Sequence, residues 1–319
     1  MSNKNKVLVI KTGYSETLDK QISYTSSLGD VLRTTSILHL FEDDHVTWLV
    51  DQHAFPLLYN NPFIDRILIY NLSSALQLKA ENFDTVINFE KVPGLCALSD
   101  SITAWRRFGF RFDEVTGTAQ AYDKSEDVID IVLNEDRKKK HSKVWQDALY
   151  EMLGHSWKGE SYVLGYQPKT QISFDVGLNW AVGNSYPTKA WPLENWKKLV
   201  ILLENQCLHS WQEGLDDIYK YIDWINSCRL LVTNDSLGMH IAIALKKQVL
   251  VIYGPTHPGE VCLYGLGKVI SPENHFDCMP CFEPICSNDV FCLDQVSPQK
   301  VFEEIKNFIS LKNKKALAS

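Results

Sequence analysis

Two stretches of this 319-residue chain concentrate side chains that can do chemistry. The first runs Leu230-Leu231-Val232-Thr233-Asn234-Asp235-Ser236-Leu237-Gly238-Met239-His240 and continues as IAIALKKQVLVIYGPT to Thr256. Its apolar start ends in Asn234, Asp235 and Ser236, residue types whose side chains cap helix starts. Met239, Ile241, Ala242, Ala244 and Leu245 then recur at helical spacing. The pattern predicts a strand, a tight turn, a helix, a second strand and a second turn at Gly254-Pro255-Thr256. A helix N-terminus directly after a strand presents backbone N–H groups and the positive end of a dipole, which suits a phosphate or diphosphate. The same residues also satisfy an ordinary capped helix of an α/β domain.

The second stretch is Cys278-x2-Cys281-x4-Cys286-x5-Cys292. Four thiols on one short, Pro-rich loop offer a tetrahedral ligand set for structural zinc or iron. Such a metal would compensate for the missing apolar periodicity of the loop. Free thiols are the alternative reading, and disulfides are disfavoured in a cytoplasmic setting. The other four of the eight cysteines, Cys96, Cys207, Cys228 and Cys262, sit in apolar contexts and read as buried thiols.

These stretches need elements to position them. KVLVIK (6–11), HVTWLVD (45–51), DRILIYN (65–71) and FDTVINFE (83–90) are near-continuous apolar runs separated by helical patterns, and RRFGFRF (106–112) reads as a later strand. That alternation predicts parallel sheets covered on both faces. The spacing predicts one helix over 134–154 and another over VLRTTSILHLF (31–41), with Asp30 of Ser26-Ser27-Leu28-Gly29-Asp30 as a natural N-cap. A polar, Gly- and Pro-rich stretch around residue 168 divides the chain into residues 1–168 and 169–319. The second part opens with ISFDVGLN (172–179) and closes with the amphipathic helix SPQKVFEEIKNFISL. In such α/β sheets, ligands bind at the carboxyl ends of the strands.

Composition excludes some classes. A net charge of −7 gives no electrostatic case for nucleic acid. No apolar run approaches the roughly 18 to 20 residues of a membrane span. The N-terminal run is too short for a signal peptide, so a cytoplasmic location is expected, with at most peripheral membrane contact through the basic LKNKKALAS tail.

Taken in order, SSLGDVLRT, FDTVINFEKVPGLCAL, TKAWPLENW, TNDSLGMHIAIAL with VIYGPTHP, and CMPCFEPICSNDVFC resemble glycosyltransferase family 9, the heptosyltransferases. The resemblance runs over nearly the whole chain. It implies a GT-B fold: an α/β chain with two Rossmann-like domains whose parallel sheets face a central cleft. Residues 1–168 would be the acceptor domain and 169–319 the nucleotide-sugar donor domain. The implied activity is inverting transfer of a heptose or similar sugar from an ADP-linked donor. The acceptor would be a hydroxyl on a lipopolysaccharide core or a protein. No catalytic cofactor is implied. By the same resemblance Asp30 is the general base, and Lys189, Asp235, Ser236, Leu237, Gly238 and His240 bind the donor. Gly254, Pro255 and Thr256 line the same pocket. Some members, notably protein heptosyltransferases, carry cysteine-bound iron, which implies structural iron or zinc on Cys278, Cys281, Cys286 and Cys292. A homo-oligomer is compatible with this picture. An epimerase of GT-B fold and a catalytically silent sugar-binding scaffold are the competing readings. The epimerase would need acid/base pairs across the sugar ring, and only Asp30 stands out.

Three features depart from the family. Residues Thr12–Thr25 (TGYSETLDKQISYT) are inserted before SSLGD and read as a flap over the acceptor. The segment ILLENQCLHSWQEGLDDIY is short for the usual strand and glycine-rich loop together, and the acidic residue that family members carry there for nucleotide binding has no clear match, which leaves the specificity for adenine open. Finally, glycine stands at position 238, whereas many members place it directly after the hydroxyl residue.

Overall fold

The structure is a computed structural model that describes residues 4–14, 26–213, 217–274 and 276–316. The chain divides into two compact units, Met1–Gln167 and Pro168–Ser319. The reading of Thr12–Thr25 as a flap falls on residues 15–25, which lie outside the described residues.

Among the described residues, unit 1 is built on strands β1 (Lys6–Ile10), β2 (His45–Val50), β3 (Arg66–Ile69), β4 (Asn82–Asn88), β5 (Thr103–Asp113) and β6 (Thr118–Ala121). Their order in the sheet is β3-β2-β1-β4-β5-β6. The first five strands run parallel, and β6 turns back antiparallel on β5. The period-2 geometry of a strand sorts β1 between two layers. Val7 and Val9 join a core with Val46, Trp48 and Ile87, whereas Leu8 and Ile10 join the opposite core with Leu49 and Val86. Helices α1 (Leu28–Thr34), α2 (Phe55–Leu58), α3 (Leu72–Lys79), α4 (Pro93–Ser101), α5 (Glu126–Leu133), α6 (Glu135–Lys140) and α7 (Trp145–Met152) complete the unit.

Two helix expectations are corrected here. The helix predicted over 134–154 is broken: α6 ends at Lys140, and α7 begins only at Trp145. Four consecutive cations, Arg137 to Lys140, form the last turn of α6, while α7 is set by its buried Trp145, Leu149 and Met152. The helix predicted over 31–41 starts three residues earlier, at Leu28, and tightens into a 3-10 helix over Thr35–Phe41. Ser27 is therefore the N-cap, and Asp30 is the third helical residue.

Unit 2 has strands β7 (Phe174–Asn179), β8 (His209–Trp211), β9 (Cys228–Asn234), β10 (Gln248–Ile252) and β11 (Gly267–Ile270). They form one parallel sheet in the order β11-β10-β9-β7-β8. Helices α8 (Leu193–Leu203), α9 (Ile218–Ser227), α10 (Leu237–Ala244) and α11 (Pro298–Ala316) cover it. Trp196, Leu199 and Leu203 of α8 share a core with Leu230, Val232, Leu250 and Ile252, which Val301 and Ile305 of α11 close. The segment before α9 does hold a strand, the three-residue β8 paired with β7 at the sheet edge, while its residues 214–216 lie outside the described residues. Among the described residues, no helix is long and apolar enough to cross a membrane.

Candidate donor-binding site and the Asp30 turn

A parallel sheet delivers every strand's carboxyl end to one edge, so the loops after β7, β8, β9 and β10 emerge together in unit 2. The turn after β9 is the most connected of them. Asn234, its last strand residue, accepts a hydrogen bond from the Trp191 amide (2.9 Å) and donates to the Trp180 carbonyl (2.9 Å). Asp235 accepts from the Thr256 hydroxyl (2.7 Å) and pairs with the Lys189 ammonium (2.8 Å). Ser236 is the N-cap of α10, but its hydroxyl accepts from Asn179 Nδ2 (3.0 Å).

The expectation that these three side chains cap the helix is therefore corrected. Each is recruited by a partner distant in sequence, and no side chain caps α10. The leading N–H groups of an uncapped helix are then left to water or to an anion.

The same packing explains glycine at position 238. A Cβ there would fall inside contact distance of Asn179 Nδ2 and Tyr221 Oη. These two atoms belong to a buried relay in which Tyr221 Oη donates to Asn179 Oδ1 (2.6 Å) and Asn179 Nδ2 donates to Thr233 Oγ1 (2.7 Å). The glycine thus stands where the helix backbone comes close to Asn179 and Tyr221.

Asp235 and Lys189 set the electrostatics of the turn. Burial opposes ionisation of Asp235, but the charge and hydrogen bond of Lys189, the Thr256 hydroxyl and His240 outweigh it. The carboxyl is held below the usual carboxylate range. Lys189 keeps about a quarter of its side chain exposed, at 24%, and its Nζ lies 5.5 Å from the centre of the Tyr186 ring. His240 is buried in the first turns of α10. Sequence-predicted Lys189, Asp235, Ser236, Leu237, Gly238, His240 and Thr256 thus fall on three neighbouring turns of one sheet edge.

The Cys-rich loop straps those turns. The Thr188 hydroxyl donates to the Glu283 carbonyl (2.5 Å), and the Phe282 amide donates to the Pro255 carbonyl (2.8 Å). Gly254 packs so closely that a Cβ would lie 2.8 Å from Leu293 and 3.1 Å from Cys292 Sγ. The four cysteines are free thiols: Cys292 is buried, Cys278 and Cys281 are half-buried, and Cys286 is exposed. Burial pushes the Cys292 thiol up to about 11, and the proximity of Cys281, Cys278 and Cys286 adds to it. The donor set has the chemistry of a zinc or iron site. Its arrangement does not: among the described residues, no group of three or more His, Cys, Asp or Glu side chains is placed to hold a metal ion.

In unit 1, Asp30 lies in the first turn of α1, where one oxygen accepts from Arg33 (2.6 Å) and a fifth of the side chain, 21%, remains exposed. Arg33 is itself stacked over Trp145 at 5.1 Å. The turn is anchored from below. Glu90, just past β4, accepts from the Gly13 amide (2.9 Å) and pairs with Lys11 (3.7 Å), both side chains being 1% exposed. Gly13, with φ +91°, accepts from the Ser27 amide and abuts Val31 of α1. Composition and spacing do not reveal Lys11, Glu90, Asn179 or Tyr221. The one signal is a charged or amide residue at the end of an apolar strand run, as in INFE and GLN.

A model of glycosyltransferase family 9 (heptosyltransferase) matches residues 217–291, which contain the β9–α10 turn, Gly254-Pro255-Thr256 and three of the four clustered cysteines. A lipooligosaccharide heptosyltransferase 2 of Campylobacter jejuni is 34% identical over 80 residues, and the match spans 25% of this chain and 25% of that protein. Over the whole chain the likeness is one of fold. The E. coli ADP-heptose lipopolysaccharide heptosyltransferase II superposes with a TM-score of 0.66 at 14% identity, covering 97% of this chain and 99% of its own. TibC, a dodecameric iron-containing heptosyltransferase solved with ADP-D-β-D-heptose, superposes with a TM-score of 0.58 at 11% identity, covering 96% of this chain and 76% of its own. Residues 217–291 thus carry the signature of glycosyltransferase family 9, on a chain whose two parallel-sheet α/β units have the GT-B fold of the solved heptosyltransferases.

Proposed function

We propose that this chain is a heptosyltransferase of glycosyltransferase family 9 that moves a heptose from an ADP-linked donor to an acceptor hydroxyl with inversion. The observation that carries the reading is the Lys189–Asp235–Thr256 cluster at the uncapped start of α10, of which Asp235 and Thr256 lie inside the segment that matches the family. The donor diphosphate binds over that helix start. Lys189 and the α10 N–H groups stabilise the negative charge that develops on the departing nucleotide. Asp235 orients Lys189 and is not itself consumed. Asp30 takes the proton of the acceptor hydroxyl as its oxygen attacks the anomeric carbon, and the C–O bond to the diphosphate breaks. Transfer by this route leaves the sugar inverted and releases ADP. The acceptor is a sugar of a lipopolysaccharide core or a protein hydroxyl. The free enzyme works on the cytoplasmic side, and assembly into a homo-oligomer would follow the dodecameric relative.

The test is incubation with ADP-heptose and a lipopolysaccharide-core acceptor, with release of ADP monitored against UDP- and GDP-linked hexoses. ADP release above the uncatalysed rate is expected with ADP-heptose. If no nucleotide sugar is turned over and none raises the melting temperature, the transferase reading is wrong.

A further inference from the structure

Lys11 and Glu90 take no direct part in the proposed transfer, yet both charges are buried with side chains 1% exposed. Taking two charges out of water costs about as much as their attraction returns, and apolar residues of similar volume often replace such a pair without loss of stability. The stability of the surrounding core therefore does not account for it. Its place in unit 1 does.

The two residues stand side by side at the carboxyl ends of the neighbouring strands β1 and β4, where the Phe89 amide donates to the Ile10 carbonyl (3.1 Å). Both backbones are fixed. Asn88 closes a ring on Glu90: its Oδ1 accepts from the Glu90 amide (3.0 Å), and its Nδ2 donates to the Glu90 carbonyl (3.1 Å). The Lys11 amide donates to the Leu49 carbonyl (3.2 Å), and the Lys11 carbonyl accepts from the Trp48 indole (3.0 Å). From this rigid base, Glu90 Oε1 faces the Lys11 ammonium and accepts from the Gly13 amide (2.9 Å).

Gly13 carries the connection to Asp30. Its φ of +91° is a conformation that side-chain-bearing residues rarely adopt. Its carbonyl accepts from the amide of Ser27, the N-cap of α1, and the Ser27 carbonyl accepts in turn from the Val31 amide (3.3 Å). A Cβ on Gly13 would lie 2.8 Å from Val31 and 3.3 Å from the Ser27 carbonyl, so α1 starts directly against this residue. Asp30 is the third residue of that helix. A displacement at its N-cap is handed on to Asp30, because the first turn moves as a unit.

We infer that Glu90, with Lys11 beside it, is a positioning residue for Asp30: its bond to the Gly13 amide sets where α1 begins and so where the base meets the acceptor hydroxyl. This rests on the reading of Asp30 as the base and adds the group that aims it. A charge suits the task, because a hydrogen bond to an ionised acceptor is shorter and stronger than a neutral one. Lys11 supplies the opposite charge that a buried carboxylate needs.

The test is Glu90→Asp, which keeps the charge beside Lys11 and shortens the arm by one methylene. Release of ADP from ADP-heptose should show kcat lowered by about 10- to 100-fold, the scale of a small misplacement at the reacting atoms. Affinity for ADP, measured by calorimetry, and the urea midpoint should stay near those of the wild type. Introduced into Asp30→Asn, the same change should cost less than about twofold further, since no base is left to misplace. Additive losses in the double variant would overturn the inference, because Glu90 would then act by a route that bypasses Asp30. A kcat for Glu90→Asp within about threefold of wild type would also overturn it and leave the base reading standing. So would a Glu90→Asp protein that fails to fold, since the carboxylate would then hold the fold and not the turn. If Asp30→Asn keeps the wild-type kcat, the base reading itself fails, and the positioning role with it.

Discussion

Asp30 and Asp235 are both carboxylates beside a cation at the start of a helix, and they are held in opposite ways. Asp30 has its cation three residues along the same helix, at 2.6 Å, and is the more exposed of the two, at 21% against 12%. Asp235 ties together three segments, taking Lys189 from the loop after β7 and Thr256 from the turn after β10. A carboxylate that keeps part of its surface open can accept a proton from a substrate. One bound by three partners and held below the usual carboxylate range serves as a fixed charge. On the proposed mechanism, chemistry and scaffolding are separated between two residues that look alike in sequence.

The sharpest way to break that comparison is to remove one charge from each site, the Asp30 carboxylate in one and the Lys189 cation in the other. Asp30→Asn should lower kcat by about 10²- to 10⁴-fold, the usual contribution of a general base, with nucleotide affinity unchanged. If kcat falls less than tenfold, Asp30 is not the base. Lys189→Met should cost about 10²- to 10³-fold in kcat, the range for removing one donor to a developing anion. A loss confined to KM would show that Lys189 serves ground-state binding only.

Gly238→Ala comes next and reads on the scaffold. The added methyl must displace the Asn179–Tyr221 relay, and overpacking of this kind costs about 1–3 kcal/mol, visible as a lowered urea midpoint with unchanged slope. An unchanged midpoint would mean that α10 can slide away from its support. The smallest effect is the pH dependence of Asp235. Its folded carboxyl ionises more readily than the unfolded one, whose ordinary value is about 3.9. The stability it lends is therefore complete above that value and is lost as pH falls through the depressed one. Melting curves of wild type and Asp235→Asn should stay separated at neutral pH and converge below about pH 4. Parallel curves down to pH 2 would show that Asp235 is not preferentially ionised in the folded state.

The strands were legible because each is a short apolar run, and runs such as VLVI and LLV admit few other readings. The β9–α10 turn was legible for the same reason, as an apolar strand breaking into polar residues before an apolar helix. The roles within that turn were not. Asn234, Asp235 and Ser236 all have capping side chains, and local rules send them to the helix N–H groups. Instead Trp191, Lys189 and Asn179 claim them, and nothing in the spacing of residues 179, 189 and 234 announces that they meet. The break between α6 and α7 escaped for another reason: residues 134–143 are an unbroken polar run with no apolar position to mark a helix end, and α7 begins only where Trp145 enters the core. The buried Lys11–Glu90 pair is the extreme case, since charged residues flanking apolar strands are ordinarily solvated.

The Asn234 carboxamide grips the Trp180 carbonyl and the Trp191 amide, so the intervening segment is closed at both ends by a single side chain. Closing a loop removes chain entropy once, when the protein folds. The segment carries Lys189, and a lysine on a closed loop has less freedom to lose when an anion arrives. The amide of Asn234, which touches no anion itself, thereby shifts the ordering of the cationic arm from the moment of encounter to the moment of folding.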